Sequence, residues 1–160
     1  MGKIILNILS LSFILTVLMA LGFKSKGKVV TLDIPKSWPK PNYNFDQNPL
    51  SAPKIELGRH LFYDPILSID NTVSCASCHS SYTAFTHVDH ALSHGVGDSI
   101  GTRNSPVLIN LAWNTSFMWD GAISHIENQA LAPIHSSVEM GDDIVNVVSK
   151  LQSSEKYKSL

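Results

Sequence analysis

The sequence predicts a mostly α-helical fold with long irregular loops, and three observations lead to that class. Segments 51–63 and 141–151 combine helix-capping residues with apolar side chains at helical spacing. No segment gives a confident prediction of a strand. The segments between the helices are rich in glycine and proline, which are typical of turns.

Length and charge limit the class of protein further. The chain has 160 residues, enough for one domain with a modest core, and its formal net charge is −1. A balance so close to neutral gives no indication of nucleic-acid binding. Histidine is unusually frequent, with seven residues in the chain.

Residues 1–22 are predicted to be an export signal or an N-terminal membrane anchor. An almost unbroken apolar run follows Lys3, and Ala20-Leu21-Gly22 offers a small-x-small cleavage site. The run is long enough to span a bilayer if it is retained, although cleavage is favoured. A buried core helix is a poorer interpretation, because the run has no polar face and basic residues flank it.

Residues 23–50 contain four prolines and are predicted to form an extended arm without helices. A helix is then expected to begin near Ser51, with Pro53 in its first turn, and to end at Asp64-Pro65. Residues 73–80 are expected to form a short helix.

Residues 81–104, with three closely spaced glycines, are predicted to be a long loop. Short helices are expected from Ser105-Pro106 through Leu111 and over residues 124–131. The clearest helix is 141–151, where two aspartates precede a single apolar stripe, made up of Ile144, Val147, Val148 and Leu151.

The sequence Cys75-Ala76-Ser77-Cys78-His79 is the attachment motif of a c-type haem. On one helical turn both thiols can reach the vinyl groups of one haem edge. The histidine then lies under the iron as its proximal ligand. Export favours the same interpretation, because c-type haem is attached outside the cytoplasm. The domain at 51–160 is therefore predicted to be a cytochrome c-like domain with one covalent haem c.

Three other uses of the cysteines are less favourable. A disulfide would close a very small ring with almost no loop-entropy benefit. A thioredoxin-like dithiol needs a βαβ context, and a structural zinc site usually needs a second cysteine pair. Neither is present in the sequence.

The sequence signals for the second axial ligand and for the catalytic groups are less specific than the C-x-x-C-H motif. His94 stands out among the candidates because it begins the glycine-rich run HGVGDSIG, whose flexibility would allow it to bind iron in one state and leave it in another. Glu139 could act as an acid–base group beside Gln129, or simply cap the helix that follows, which is the commoner role. The other candidate axial ligands are His87, His90, His125, His135, Met118 and Met140.

Several blocks in the same order resemble the N-terminal haem domain of the bacterial di-haem cytochrome c peroxidases, a family that includes MauG-type enzymes. The resemblance runs from about Leu57 to Leu160. The blocks are LGRHLFYDP, VSCASCH, AFT, HGVG, GTRNSPVLIN, FMWDGA, ENQALAPI and SVEM.

The resemblance implies a periplasmic oxidoreductase that reduces hydrogen peroxide to water with electrons from a small cytochrome c or copper protein. It also implies a role for each matching residue. His79 would be the proximal ligand and His94 the displaceable distal ligand, which favours the peroxidase branch over the MauG branch. Gln129 and Glu139 would be the pocket residues and Trp119 would lie between two haems. Asn104 would help to bind calcium.

The chain departs from the family pattern in having only one C-x-x-C-H. Family members carry a second haem domain, so this chain is predicted to be a truncated or split member that lacks that partner domain. A mono-haem electron carrier and an inactive fragment are the alternatives. A homodimer is a further expectation, and no nucleic acid is expected as a partner.

Overall fold

The computed structural model describes residues 28–160. The predicted export signal or anchor at 1–22 lies outside the described residues. Within residues 28–160 there is no sheet, and strand-like pairing is limited to four isolated bridges. The predicted mostly α class is confirmed. The α-helices of this part are α1 Ala52–Tyr63, α2 Cys75–Cys78, α3 Ile126–Gln129, α4 Leu131–His135, α5 Ile144–Ser153 and α6 Glu155–Lys158.

Helix α1 begins and ends where the sequence predicts. Ser51 is its N-cap in an extended conformation, although its side chain makes no capping hydrogen bond. Pro53 lies in the first turn, where a missing N–H costs nothing. Asp64 ends the helix, and its carboxylate accepts a hydrogen bond from the Ile66 amide (3.0 Å) that begins a short 3₁₀ turn, Pro65–Leu67.

The connection from α1 to the cysteine helix turns around one buried hydroxyl. Ser68 is fully buried, and its Oγ accepts hydrogen bonds from the amides of Thr72 and Val73, both at 3.1 Å. The same hydroxyl donates to the carbonyl of Pro65 (3.0 Å). Because a buried hydroxyl must satisfy its hydrogen-bonding capacity, these contacts fix the turn that delivers the chain to Cys75.

Two predicted helices differ from those observed. Residues 105–110 have no helical conformation, and only a 3₁₀ turn, Leu111–Trp113, follows. Asn110 is left-handed (φ 54°), which separates this turn from the residues before it. The helix predicted over 124–131 is instead the pair α3 and α4, joined at Ala130 and extending beyond Pro133 to His135. Proline is tolerated there because it lies in the first turn of α4.

Helix α5 packs with one side on the core. Val147 is 2% exposed, and Leu151 packs against the same cluster, but Ile144 and Val148 stay 41% and 43% exposed. The predicted four-residue apolar stripe is therefore only half buried. Asp143 is the N-cap and accepts hydrogen bonds from the amides of Val145 and Asn146, both at 2.9 Å.

Residues 28–50 have no helix and lie against the 3₁₀ turn at 111–113. The Tyr43 amide donates to the carbonyl of Ala112 (3.0 Å), and the indole of Trp113 donates to the carbonyl of Pro39 (2.9 Å). The rings of Trp38 and Trp113 meet edge to face at 5.2 Å. Across residues 28–160, every helix is too short or too polar to cross a bilayer.

An ion pair joins α5 to the turn before it. The Asp142 side chain is fully buried, and its Oδ2 lies 2.6 Å from the ammonium of Lys150. Oδ2 has no well-directed hydrogen bond, so the contact to Lys150 is mainly electrostatic. Burial would raise the pKa of the Asp142 carboxyl, but the contacts from Lys150 and Asn146 outweigh burial and lower it below its ordinary value of 3.8.

Asp142→Asn is expected to lower the free energy of unfolding by about 3 kcal/mol, because it leaves the half-buried Lys150 ammonium without its counter-charge. Since the folded pKa of Asp142 is depressed, the contribution is complete above the unfolded pKa and is lost as pH falls through the folded value. Urea unfolding at neutral and acidic pH measures both effects. Lys158→Met, which removes the exposed pair with Glu155, is the control and should change stability by less than about 1 kcal/mol. Equal losses for the two variants at neutral pH would contradict this interpretation.

Candidate functional site

A cavity of about 580 Å³ lies among α1, α2, the α3–α4 pair and the loop residues between them. Its wall includes both cysteines and His79 of the C-x-x-C-H motif. Of the other residues predicted for the site, it also includes Gln129, Glu139, Trp119 and Asn104. The fold therefore brings together side chains that are up to 64 positions apart in the sequence, from Cys75 to Glu139.

The two thiols are presented by the short helix α2. Ser74 and Ser77 form a capping box at its N-terminus, in which the Ser74 amide donates to Oγ of Ser77 at 3.1 Å. Cys75 and Cys78 are both free and half-buried. Burial raises the pKa of each thiol, so both remain protonated at neutral pH. One helical turn thus holds two unpaired thiols at the cavity wall.

His79 is oriented by a backbone carbonyl. Its Nδ1 lies 2.8 Å from the carbonyl oxygen of Phe85. A carbonyl can only accept, so Nδ1 carries the proton and Nε2 keeps its lone pair for a metal. Ala84 and Phe85 both have left-handed backbones (φ 58° and 59°), and the Phe85 amide closes the turn onto the carbonyl of Ser80 (2.8 Å).

Two polar side chains of the wall can act on a small ligand. Gln129 is half-buried and its amide Nε2 lies 3.6 Å from Sδ of Met118, which is a weak acceptor. Glu139 is also half-buried, and its backbone amide donates to the carbonyl of Ser136 (3.0 Å). The cavity wall therefore carries the carboxyl group of Glu139 and the amide donor of Gln129. The hydrogen bond of that amide within the protein is weak.

The imidazole of His94 is outside this cavity wall. Its Nδ1 lies 2.7 Å from Oδ1 of Asp98, within its own loop, and its ring lies 4.9 Å from that of His90. Only the backbone of His94 approaches the motif, since its carbonyl accepts a hydrogen bond from the Cys78 thiol (3.6 Å). Axial ligation by His94 stays a prediction, and it would require this loop to rearrange.

Trp119 and Asn104 are linked at the edge of the cavity. The indole N–H of Trp119, a residue 64% exposed, donates to the carbonyl of Asn104 (2.7 Å). The amide of Asn104 donates to the carbonyls of His87 (3.0 Å) and His90 (3.1 Å). Its Oδ1 accepts from the Thr86 hydroxyl at 3.4 Å. The side chain of Asn104 is hydrogen-bonded to residues 86–90 of its own loop. Its role in calcium binding stays a prediction.

Arg103 is a residue of the cavity wall that the sequence did not single out. Its guanidinium pairs with Asp120 (2.9 Å), and both residues border the cavity. The hydrogen bond from Arg103 is the main cause of the lowered pKa of the Asp120 carboxyl. A guanidinium at this position is suited to an anionic edge of a ligand, since it donates in a planar fork. The only sequence signal for Arg103 was its place in Thr102-Arg103-Asn104, next to the predicted site residue Asn104. That Arg103 lies beside Asp120 at the cavity depends on the fold.

Gly95 joins the glycine loop to Glu139. A Cβ at Gly95 would lie 2.2 Å from the carbonyl oxygen of Val138 and 2.5 Å from that of Glu139. The next amide, of Val96, donates to the same Glu139 carbonyl (2.8 Å). Only a residue without a side chain permits this approach of two backbones.

Gly95→Ala is expected to displace residues 138–139 and to destabilise the protein by about 2 kcal/mol, as overpacking against a rigid backbone commonly does. Gly58→Ala is the matched control: no atom lies within 4 Å of its added Cβ, and it lies inside α1. The control should raise stability by about 0.5–1 kcal/mol through helix propensity. Thermal unfolding of both variants tests the difference. A neutral Gly95→Ala would contradict the close approach.

The cavity fits a c-type haem. Leu67, Ile134 and Met140 belong both to the buried core and to the cavity wall, so a flat apolar group placed here would complete the core. The wall also supplies two thiols and an oriented imidazole. The core is otherwise thin for its size: the buried apolar residues of the described part are Leu67, Phe117, Ile134, Met140 and Val147.

A mostly helical fold in which an oriented histidine follows two thiols on a cavity wall defines a c-type haem domain. Comparison with known proteins gives the family. The model of the di-haem cytochrome c peroxidase family matches residues 52–160, more than half of the chain. The chain belongs to the di-haem cytochrome c peroxidase family, as the sequence predicted.

Similarity to individual proteins supports the same family assignment. The chain is 38% identical over 128 residues to the methylamine utilization protein MauG of Methylorubrum extorquens, covering 79% of this chain and 34% of that protein. It is 37% identical over 110 residues to the cytochrome c551 peroxidase of Pseudomonas aeruginosa, covering 68% and 31%. The chain spans about a third of the length of these relatives.

Solved structures give the same result. The crystal structure of a MauG-like protein associated with microbial copper homeostasis superposes with a TM-score of 0.71 at 33% identity, covering 81% of this chain and 38% of that one. The di-haem peroxidase BthA of Burkholderia thailandensis has a TM-score of 0.61 at 22% identity, covering 68% and 32%, and supports the fold alone.

Proposed function

We propose that this chain is the peroxidatic haem domain of an exported peroxidase that reduces hydrogen peroxide to water. The observation that carries the proposal is the presence of Glu139 and Gln129 in the same cavity wall as Cys75, Cys78 and His79. A carrier that only transfers electrons needs no acid–base group beside its haem, whereas peroxide reduction does.

The residues of the motif would hold the haem. The Cys75 and Cys78 thiols would each add across a vinyl group, and Nε2 of His79 would ligate the iron. The hydrogen bond from Nδ1 of His79 to the Phe85 carbonyl would keep that ring in the ligating tautomer. Haem, when bound, supplies the iron at which the O–O bond of peroxide is broken.

The protein would supply the proton movements. Glu139 would take a proton from one peroxide oxygen and return it to the other as the two oxygens separate. The Gln129 amide would donate a hydrogen bond to the peroxide, with only the weak Met118 contact to give up. The full reaction consumes two electrons and two protons and yields two molecules of water. Trp119, exposed at the cavity edge, would lie on the path by which electrons arrive.

Membership of the family supports a proposal for the electron source and the location. A small cytochrome c or copper protein would be the donor in the periplasm. Because the reaction needs two electrons and the family is di-haem, we expect a second haem domain to cooperate with this one.

A spectroscopic experiment tests the proposal. The haem-loaded chain, together with a complete partner haem domain, is mixed with hydrogen peroxide in a stopped-flow instrument, and the Soret absorption and peroxide concentration are followed. A peroxide-dependent absorption change with consumption of peroxide is expected. A low-spin spectrum in both redox states with no peroxide reaction would contradict the proposal and favour a mono-haem electron carrier.

A further inference from the structure

Three histidines gather beside the cavity, on the loop after the haem motif. The rings of His87 and His90 have centroids 5.2 Å apart, and those of His90 and His94 are 4.9 Å apart. Nδ1 of His90 lies 3.4 Å from Nε2 of His87. Neither His87 nor His90 belongs to the cavity wall or to the proposed peroxidase chemistry.

The backbone that carries His87 and His90 is held by the side chain of Asn104. The Asn104 side-chain amide donates to the carbonyls of both residues, at 3.0 and 3.1 Å. The carbonyl of Asn104 in turn accepts from the Trp119 indole. The backbone positions of the two histidines are thus held by Asn104 rather than by the weak mutual contact of their rings.

The hydrogen bonds of the protein do not satisfy these rings. Nδ1 of His87 is buried without a hydrogen-bond partner. This atom is not the one that faces His90, so the only contact recorded for the His87 ring nitrogens is the one from Nε2 to His90. At 3.4 Å the contact between His87 and His90 is also longer than an ordinary N–H hydrogen bond.

The separation suits two ligands of one metal ion. Zinc–imidazole bonds of about 2.0–2.1 Å in a tetrahedron place two nitrogens about 3.3–3.4 Å apart. Metal-ligating histidines usually hydrogen-bond a carboxylate or carbonyl through their other ring nitrogen. His94 has such a partner, because its Nδ1 lies 2.7 Å from the carboxylate of Asp98. That partner favours the tautomer in which Nε2 is free for a metal.

We propose that His87 and His90 form a binding site for a divalent transition-metal ion that prefers imidazole, such as Zn²⁺, with His94 as a third ligand backed by Asp98. No three His, Cys, Asp or Glu side chains within residues 28–160 already form a complete metal site. His94 therefore has to turn towards the pair, from a ring distance of 4.9 Å to His90.

The site would compete with the haem for His94. An ion bound by His87, His90 and His94 holds the His94 imidazole outside the cavity, which keeps the distal side of the cavity open. This consequence rests on the proposed axial role of His94, whereas the metal site itself does not.

Isothermal titration calorimetry of the haem-loaded chain with Zn²⁺ tests the site. One Zn²⁺ per chain is expected. His90→Ala, at an exposed position, should weaken binding about tenfold or more, and Asp98→Asn about tenfold through loss of the carboxylate partner. His125→Ala, at an exposed histidine outside the cluster, is the matched control and should bind as the wild type does. Absence of Zn²⁺ binding, or equal affinity in all variants, would overturn the proposal.

The haem absorption spectrum, recorded in the same titration, separates the two ideas. A Zn²⁺-dependent change from low-spin to high-spin haem supports both the metal site and axial ligation by His94. Zinc binding that depends on His90 without any spectral change supports the metal site and contradicts the axial role. Full retention of zinc affinity in His94→Ala would overturn the assignment of His94 as third ligand.

Discussion

Replacing both Cys75 and Cys78 with alanine is expected to give a protein without covalent haem that has lost most of its cooperative unfolding transition. The haem would fill a cavity of about 580 Å³ whose wall includes core residues. An empty apolar cavity costs about 24 cal/mol per Å³, so this one would cost up to about 14 kcal/mol if it stayed dry and did not relax. Water entry reduces that figure, but whole domains are stable by only about 5–15 kcal/mol.

Haem staining after denaturing electrophoresis measures covalent attachment, and thermal unfolding followed by circular dichroism measures the fold. The single variants Cys75→Ala and Cys78→Ala are the controls, since each keeps one thiol for attachment and His79 as a ligand. They should retain haem and unfold cooperatively at a lower temperature. A double variant that unfolds at the temperature of the haem-loaded wild type would show that the cavity does not depend on haem for its stability.

The elements that the sequence predicted correctly are those with local signals. Helix α1 has Ser51, Pro53 and Asp64 at positions where caps and prolines decide helix ends. The cysteine helix was predictable because two thiols and a histidine at fixed spacing carry their own geometry. Glu139 and Gln129 were weak candidates from the residues themselves, and only the family resemblance favoured catalysis, because spacing alone could not separate an acid–base role of Glu139 from capping.

Other features depend on contacts between distant residues, which no local pattern encodes. The helix predicted to begin at Ser105 is absent because residues 104–106 serve the loop contacts instead: the carbonyl of Ser105 accepts from the Thr86 hydroxyl (2.5 Å). The group that orients His79 is the backbone carbonyl of Phe85, and a motif of side chains gives no indication of where a backbone carbonyl will lie. The contact of Gly95 with Glu139 joins positions 44 residues apart.

Glu139→Gln is expected to slow the reaction of the haem-loaded protein with hydrogen peroxide by about 10²–10⁴-fold, the range typical of losing a general acid–base group. Glutamine keeps the shape and hydrogen-bonding capacity of the side chain but cannot carry the proton between the two oxygens. The backbone contacts of Glu139, with Ser136 and Val96, should survive the change. Stopped-flow mixing at several pH values measures the rate.

Glu127→Gln is the matched control, because Glu127 is an exposed carboxylate on α3. It accepts hydrogen bonds from Tyr43 and from Asn48 (2.8 Å) and does not line the cavity. The hydrogen bonds from Tyr43 and Asn48 are the main causes of its lowered pKa. A carboxylate held ionised on the surface has no route to peroxide, so Glu127→Gln should react at the wild-type rate. If Glu139→Gln also reacts at that rate while it keeps its haem, then Glu139 is a structural residue at the start of the segment leading to α5, and the acid–base group lies elsewhere in the wall.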